Sequence, residues 1–397
     1  MQENIPINTM LMMKDTPVME FNFDTSEYRV IQEDLLPFQL KGRMRKVPDF
    51  SEIKSHYDDV QRQIAVNKNK DRIISWLAGR VLPLSRENAK KIYNLFGFAQ
   101  LQDEYSRARV ALVCRALSLL DNYWLKLVGD KTTWNQVDLH KVHLNEAVAQ
   151  VSLRGSSLSI QNKAEEALRC PELSGQGAYA KAWLREEDGL YLHKTGNRGI
   201  TESKIEVMVS NLLDNCNVNH LHYEADDVFD GYTCKCKCMT DDTIAILPGM
   251  DFVSYCIHEE KEPMKEIMTI DAESIYKMMI VDYLIANPDR HGMNWGFFYN
   301  CETMEILGCH PLYDHNNSFD AAYMRDPDVR YLFNESKSMR DWAKYAMTKV
   351  DFHFYREFER EDFITDRQYK CFTSRAKELG IKIKPRVLEI DAFTKEV

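Results

Sequence analysis

The chain has 397 residues, 44% of them hydrophobic and 28% charged, and its net charge is −10. This balance is typical of a soluble globular protein, and the length accommodates about two or three domains. No apolar run approaches the roughly 20 residues of a membrane span, no secretory signal is recognisable at the N-terminus, and the acidic balance disfavours broad nucleic-acid binding. We therefore expect a cytoplasmic protein with reduced cysteines, no membrane partner and no direct nucleic-acid partner.

Residues 1–150 form a first region in which helices and strands are mixed and no catalytic pattern is found. The alternation of residues 16–33 predicts a hairpin. The polar run 67–70 predicts a turn between two helical segments, and apolar periodicity predicts a long helix over 105–120. We interpret this region as an accessory domain with mixed α/β structure. Its charged turn is either a solvated surface or a partner-binding site.

A glycine-containing loop opens the second region and leads into a predicted two-stranded unit. Gly175 and Gly177 lie in this loop, where the missing Cβ atoms would let backbone N–H groups approach a phosphate. Asp188 and Gly189 stand between two alternating runs and predict a hairpin, with Lys194 at the end of its second strand. A Gly-x-Gly pair is also compatible with an ordinary turn, so both interpretations stay open.

The hairpin is followed by a predicted helix over 201–215, which carries Glu206. A strand lysine followed by a helix glutamate is how protein kinases place the lysine that contacts the ATP phosphates. Lys194 and Glu206 have this order, although each could also be a solvated surface residue. Further strands are predicted over 218–225, 232–239 and 243–247.

Three cysteines alternate with lysines within the strand predicted over 232–239. Because side chains alternate between the two faces of a strand, Cys234, Cys236 and Cys238 would share one face. Zinc sites more often use Cys-x-x-Cys pairs on a turn. We interpret these residues as core cysteines, with a metal or redox role as the alternative.

The remainder of the chain is predicted to be mostly helical. Pro248 and Gly249 end the predicted sheet, and a hinge near 246–252 would be the place where adenine is read by backbone groups. A β-rich part before this hinge and helices after it predict an α+β fold of two lobes, like that of protein kinases. Residues 151–252 would form the small β-rich lobe, and residues 253–397 the larger helical lobe.

The motif that carries chemistry is Asn-Pro-Asp-Arg-His-Gly-Met-Asn at 287–294. Its Asp289 and Asn294 have the Asp-x-x-x-x-Asn spacing of protein kinases, in which the aspartate accepts the substrate hydroxyl proton and the asparagine binds magnesium. Asp314 follows a predicted hairpin and could supply a second oxygen ligand. The spacing is also common in polar turns, and the order of the elements is what favours a kinase.

Two residues of this motif have open roles. Arg290 could pair with a phosphate or with an acid. His291 could orient the loop through a hydrogen bond or act as a base. Because Asp289 is already suited to accept a proton, we expect His291 to have a structural role.

Taken together, these stretches resemble the HipA-like serine/threonine protein kinase family, including its compact CtkA-like members. The resemblance extends over residues 173–319. It is carried by 173–178 with Lys181, by 192–196, by 202–206, by 287–294 and by 311–314.

The resemblance implies ATP and Mg²⁺ as cofactors and a role for each motif residue. Lys194 would contact the ATP phosphates with support from Glu206. Asp289 would be the catalytic base, and Asn294 and Asp314 would bind magnesium. Ser174, Gly175 and Gly177 would form the nucleotide-binding loop.

In HipA a serine of this loop is autophosphorylated and the loop is then ejected, which inactivates the kinase. Ser174 is the corresponding candidate, although the residues around it do not match the loop of HipA closely. Ser156, Ser157 and Ser159 are the alternatives.

We therefore expect a kinase that transfers the γ-phosphoryl group of ATP to a protein hydroxyl. By the same resemblance it would belong to a toxin–antitoxin or phage-defence system, with an antitoxin or regulatory protein as partner. Two alternatives stay open, because a fold does not fix a substrate. One is a catalytically silent kinase-fold binding protein, and the other is a kinase or nucleotidyltransferase acting on a lipid or small molecule.

Overall fold

A computed structural model describes residues 8–23, 27–47, 50–98, 101, 103–196 and 201–386. The chain forms two compact units, each assembled from three stretches of sequence. Unit 1 comprises Met1–Ser203, Glu224–Ile270 and Gly292–His310, and unit 2 comprises Lys204–Tyr223, Asp271–His291 and Pro311–Val397. Both units contain helices and strands, in agreement with the prediction that the fold combines the two.

Three antiparallel sheets belong to unit 1. The first has the order β3-β2-β1-β4, the second β5-β6-β8-β7 and the third β11-β10-β9. Their strands are β1 (Asn8–Met13), β2 (Thr16–Asn22), β3 (Tyr28–Val30), β4 (Tyr123–Leu127), β5 (Lys181–Glu186), β6 (Gly189–Lys194), β7 (Glu224–Asp227), β8 (Tyr232–Lys237), β9 (Ile244–Pro248), β10 (Gly296–Asn300) and β11 (Ile306–Cys309).

Several of the described helices lie wholly in unit 1. They are α1 (His56–Gly79), α2 (Ala89–Phe96), α3 (Glu104–Val113), α4 (Glu146–Arg154), α5 (Lys163–Glu166) and α7 (Gly249–His258). A core of apolar side chains that includes Trp124, Trp134 and Leu144 packs in this unit. Burial of such side chains is the main stabilising contribution to the fold.

Unit 2 is mainly helical. Its helices are α6 (Thr201–Leu213, whose first residues belong to unit 1), the second part of α8 (Pro263–Leu284), α9 (Ala321–Arg325), α10 (Met339–Met347) and α11 (Asp366–Leu379). Its strands form two-stranded pairs, namely β12 (Arg330–Tyr331) with β13 (Asn334–Ser338) and β14 (His353–Phe354) with β15 (Lys382–Ile383). Helix α8 is interrupted at Asp271, whose side chain accepts the Ser274 N–H at 3.1 Å and so caps the second part.

Several predicted elements are confirmed. The hairpin over 16–33 is β2 and β3, with its tip at 24–26 outside the described residues. Strands β5 and β6 pair from Lys181 opposite Lys194 to Glu186 opposite Gly189. In β8, Cys234 and Cys236 are buried and Lys237 is exposed, which confirms that these two cysteines face the core, whereas Cys238 lies beyond the strand and is partly buried.

Other elements differ from the prediction. The helix predicted over 105–120 ends at Val113, because Arg115 and Ala116 adopt left-handed backbone conformations. The run 67–70 is not a turn but lies inside the continuous helix α1. In the described part of the chain, no helix combines the length and apolar character that a membrane crossing requires.

Candidate active site

The sequence around Pro288 ends helix α8 and starts the loop that carries Asp289. A proline disfavours helical conformation in the residue before it. The helix ends at Leu284, and Ala286 takes a left-handed φ of 49°. The N–H of Asn287 then donates to the carbonyl of Asp282 at 3.0 Å. The chain therefore leaves the helix in a fixed direction.

A buried carboxylate, Asp282, holds this loop in place. Arg290 donates to it from Nε at 3.0 Å and from Nη2 at 2.9 Å, and the Asn287 amide donates at 2.8 Å. The Tyr331 hydroxyl donates to the same carboxylate. Burial lowers the pKa of Arg290, but the charge and hydrogen bonds of Asp282, together with smaller effects of Tyr331 and Asp314, outweigh burial, and the net change is upward. Of the two roles left open for Arg290, the structure shows the pair with an acid.

The same guanidinium reaches the segment around Asp314. Arg290 Nη1 donates to the carbonyl of Tyr313 at 3.1 Å, and Nη2 lies 3.2 Å from Nδ1 of His315. Both neighbours of Asp314 in sequence are thus connected to the residue that follows Asp289. Because Arg290 is fully buried, this connection is protected from water and stronger than a surface contact.

Asp289 itself is only partly buried. Its N–H donates to the side-chain oxygen of Asn287 at 3.0 Å, and its Oδ2 accepts a hydrogen bond from the Asn317 amide at 2.9 Å. Nε2 of His291 lies 3.7 Å from Oδ1, and the Asp289 side chain is 35% exposed. A carboxylate that is oriented and still accessible has the geometry required of a general base.

Glu206 is buried on α6 and contacts the segment that contains Asp314. Its Oε1 accepts the N–H of His315 at 2.8 Å. Asp314 has a φ of 59°, and its Oδ1 accepts a hydrogen bond from the Asn316 amide at 3.3 Å. Glu206 is fully buried, so it is not the solvated helix residue of the alternative interpretation. It fixes the backbone beside Asp314.

Lys194 and Asn294 belong to unit 1, whereas Glu206, Asp289 and Asp314 belong to unit 2. Lys194 is 5% exposed, and in the sheet it pairs with Lys181 on one side and Cys234 on the other. It is therefore not an exposed strand-end lysine. Its support by Glu206 stays a prediction.

The backbone before Asn294 is fixed against the start of α7. The Gly292 carbonyl accepts the N–H of Met250 at 2.7 Å, and the Trp295 carbonyl accepts the N–H of Gly249 at 2.8 Å. A Cβ atom on Gly292 would lie 3.0 Å from the Met250 nitrogen and 2.8 Å from its Cβ. This close approach requires glycine. Asn294, two residues later, is 4% exposed.

The loop with Ser174, Gly175 and Gly177 is packed within unit 1. The Ser174 hydroxyl donates to the Pro171 carbonyl at 3.0 Å, and the N–H groups of Ser174 and Gly175 donate to the carbonyls of Pro171 and Glu172. Gly177 has a φ of 93°, which favours glycine. Since two of the N–H groups are bound internally, phosphate binding by this loop stays a prediction.

The sequence analysis did not identify three residues that shape the site. Asp282 anchors Arg290, Asn317 orients Asp289, and His315 links Arg290 with Glu206. The sequence does single out Asp282, because it is the only acid in the run from Met278 to Ala286, whose other residues are apolar or aromatic. A charged residue within a buried helical run must have a partner.

Comparisons with known proteins give only remote similarities. No protein-family model matches the sequence, and no curated protein matches it. The fold is similar to that of CtkA, a proinflammatory kinase of Helicobacter pylori, with a TM-score of 0.37 and 12% identity over 50% of this chain and 89% of that chain. It is also similar to a chain of the HipA, HipB and operator DNA complex of the Shewanella oneidensis toxin–antitoxin system, with a TM-score of 0.49 and 10% identity over 94% of this chain and 98% of that chain. Both TM-scores are below 0.5, so the function proposed for this chain rests on its own residues.

Proposed function

We propose that the protein is an ATP-dependent serine/threonine protein kinase of the HipA-like type, with a bilobal kinase-like fold. The observation that carries the proposal is the buried Arg290, which connects the loop of Asp289 to both neighbours of Asp314. A phosphoryl-transfer site depends mainly on positioning and on charge stabilisation. In this chain the guanidinium of Arg290 connects the loop of Asp289, the candidate base, with the segment of Asp314, the candidate metal ligand.

Asp289 would accept the proton of the substrate hydroxyl. The hydrogen bond from Asn317 to Oδ2 fixes the carboxylate plane, and the backbone contact with Asn287 fixes the main chain. His291, whose ring is partly exposed near Oδ1, would orient the carboxylate. General-base catalysis requires such a group within reach of the proton that it removes.

Asn294 and Asp314 would hold magnesium, because an amide oxygen and a carboxylate are hard donors of the kind that this ion prefers. When bound, the ion would neutralise charge on the transferred phosphoryl group. Lys194 would bind the ATP phosphates with support from Glu206, and the loop of Ser174, Gly175 and Gly177 would contribute to nucleotide binding.

The test is transfer of label from γ-labelled ATP to the protein itself and to a mixture of generic protein acceptors, in the presence of magnesium. We expect Asp289→Asn to lower the transfer rate by about 10²–10⁴-fold, the usual contribution of a general base. Lys194→Met should also lose activity, whereas Asp341→Asn, on the exposed first turn of α10, should keep it. Equal transfer by the wild type and Asp289→Asn would overturn the proposal.

We further propose Ser174 as an autophosphorylation site. Its hydroxyl is 6% exposed and bonded to Pro171, so phosphorylation requires local opening of the loop. After incubation with ATP and magnesium, phosphopeptide mass spectrometry should place phosphate on Ser174, and Ser174→Ala should remove that phosphopeptide. Phosphate at Ser156, Ser157 or Ser159 with none at Ser174 would contradict this assignment.

The cellular role is proposed on the sequence resemblance. We infer a protein substrate, and an antitoxin or other regulatory protein as partner, within a toxin–antitoxin or phage-defence system. Copurification of the chain with the product of a neighbouring gene, and release from toxicity by that product, would test this role. Growth that is unaffected by expression of the active kinase would contradict it.

A further inference from the structure

Three potential metal ligands lie together where helix α6 ends. Asp214 directly follows the helix, and His220 and His222 lie on the segment that leads to Tyr223. Nε2 of His220 is 3.2 Å from Oδ1 of Asp214, and Nδ1 of His222 is 3.2 Å from Oδ2. The three ligand atoms lie within 4.8 Å of one another. All three residues belong to unit 2.

The buried side chain of His220 is placed beside the Asp214 carboxylate. The side chain is 9% exposed, and its Nε2 is buried without a hydrogen-bond partner among the described residues, although it faces a carboxylate. The ring also makes a hydrogen bond with the backbone of Val218. A buried polar atom without a regular hydrogen-bond partner calls for an explanation, and a cation shared with Asp214 is one.

The arrangement of the second ring nitrogen is also that of a metal ligand. Histidines that bind metals usually donate their other N–H to a carboxylate or a backbone carbonyl, which fixes the tautomer and the ring orientation. The hydrogen bond with Val218 supplies this support to His220.

The distances agree with coordination of one ion. Zinc binds nitrogen at about 2.0–2.1 Å and carboxylate oxygen at about 2.0–2.2 Å in tetrahedral geometry, so two of its ligands are separated by about 3.4 Å. Nε2 of His220 and Nδ1 of His222 each lie 3.2 Å from a carboxylate oxygen of Asp214. A single ion can therefore contact all three side chains after small side-chain adjustments.

A second cluster of potential metal ligands differs from this one because its carboxylates already contact a lysine. Glu186, His193 and Asp226 also lie close together. However, the ammonium group of Lys235 lies 2.8 Å from Glu186 and 3.7 Å from Asp226, so the carboxylates already have a cation. The ion pairs of the Asp214 carboxylate are with the two histidines, and the nearby Arg386 donates to the backbone carbonyl of Asp214 at 2.7 Å. The cluster at the end of α6 is thus the better candidate.

We propose that Asp214, His220 and His222 bind a divalent first-row transition-metal ion, with Zn²⁺ as the preferred ion. Two imidazoles and one carboxylate suit this class of ion, whereas Mg²⁺ and Ca²⁺ prefer oxygen ligands only. The side chain of His222 is 58% exposed, so the ion can enter from solvent and can complete its coordination with water. The site is independent of the kinase proposal and of its magnesium ligands.

Bound metal would stabilise the framework around Asp314. The segment that carries His220 pairs with Leu312, through the Leu221 N–H to the Leu312 carbonyl at 2.8 Å and the Leu312 N–H to the Asn219 carbonyl at 3.0 Å. Helix α6, which ends just before the ligand Asp214, carries Glu206, and Glu206 accepts the N–H of His315. The ion would therefore join two elements that contact Leu312 and His315, which lie two positions before Asp314 and one position after it.

The test is titration of the full chain, stripped of metals with a chelator, with Zn²⁺ by calorimetry and with Co²⁺ by absorption spectroscopy. We expect one Zn²⁺ site and a Co²⁺ spectrum of tetrahedral nitrogen and oxygen coordination. His222→Ala and Asp214→Asn should each weaken binding by about 100-fold or more, since even an outer-shell partner contributes 10- to 100-fold. His143→Ala, which removes an exposed histidine outside the site, should bind like the wild type.

Thermal unfolding provides a second readout that does not depend on enzymatic activity. Because a ligand that binds only the folded state stabilises it, Zn²⁺ should raise the Tm of the wild type and of His143→Ala but not that of His222→Ala. Absence of binding to the wild type, equal binding by His222→Ala, or a Co²⁺ spectrum with thiolate absorption from the cysteines would each overturn the proposal.

Discussion

The guanidinium of Arg290 and the carboxylate of Asp282 are both fully buried, and each is stable in this position only because the other is present. Removing one member of such a pair leaves an uncompensated buried charge, whereas replacing both by apolar groups is often tolerated. The pair also receives hydrogen bonds from Asn287 and Tyr331. It therefore couples the shape of the Asp289 loop to the stability of unit 2.

We predict that Arg290→Met destabilises the protein by about 3–5 kcal/mol. The double variant Asp282→Leu with Arg290→Met should be less destabilised than this single variant, since no charge is left buried. Urea unfolding followed by circular dichroism measures both effects. Arg325→Met, which changes an exposed arginine in the same unit, serves as the control. A double variant less stable than Arg290→Met would contradict the explanation.

Among single residues, sequence analysis identified those that lie within one short motif or at the end of a predicted element. Asp289 and Asn294 have a recognisable spacing, and Asp314 follows a hairpin. Asn317 lies 28 positions from the carboxylate that it orients. Such a contact depends on how two distant segments pack, and no local periodicity reports it.

Helix α1 shows how packing overrides local propensity at the scale of one element. Asn69 lies in the polar run that predicts a turn, yet it is fully buried inside the helix. Its amide accepts the N–H of Arg45 at 2.8 Å and donates to the Arg45 carbonyl at 2.8 Å. The side chain thus satisfies the backbone of a distant loop, and that contact requires the helix to continue through this run.

We predict that Asn69→Ala destabilises the protein by about 1–3 kcal/mol, because the two hydrogen bonds of the buried Asn69 amide with the backbone of Arg45 would be lost. Asn67→Ala is a matched control, since Asn67 is exposed on the same helix and alanine has the higher helix propensity. Chemical denaturation compares the two variants. Equal loss of stability in both would show that the hydrogen bonds to Arg45 contribute little.

Strands were predictable where turn chemistry and alternation coincide. The β5–β6 hairpin contains Asp188 and Gly189, and Gly189 has a φ of 150°, which marks the turn in the sequence. The strand predicted over 218–225 is mostly absent, and only Glu224–Asp227 belongs to a sheet. The part around His220 instead makes an isolated bridge with Leu312, a partner about 90 residues away. Pairing at that distance is decided by tertiary structure.

For the molecule as a whole, pH dependence of stability is expected to reflect one histidine in unit 1. Nδ1 of His140 lies 3.1 Å from Asp138, and Nε2 lies 3.2 Å from the hydroxyl of Thr240. Burial opposes the charged form of His140, but hydrogen bonds with Asp138 and Cys238 outweigh it and raise its pKa from 6.5 to about 9. The folded protein therefore keeps a proton that the unfolded chain releases.

Because this pKa is raised, the stabilisation is fully present below pH 6.5 and is lost as the pH rises through about 9. Between these values the free energy of unfolding should fall with a slope of at most about 1.4 kcal/mol per pH unit. His140→Gln should reduce this slope between pH 6.5 and about 8, below the range in which thiols titrate, whereas the exposed His143→Gln should keep it. Urea midpoints measured from pH 6 to pH 9.5 provide the test, and an unchanged slope in His140→Gln would refute it.

The assembly of each unit from three separated stretches has a consequence for biosynthesis. When the ribosome has translated as far as Ser203, unit 1 still lacks Glu224–Ile270 and Gly292–His310. At roughly 5–20 residues per second, synthesis of the remaining part takes about 5–20 s. During this interval β6 has no β8 beside it and β9 has no β10, so two strand edges are open to other chains. Nascent chains of this protein should therefore bind holdase chaperones until residue 310 has emerged, and a gene cut at any single point between 204 and 310 should not yield a separately folded half.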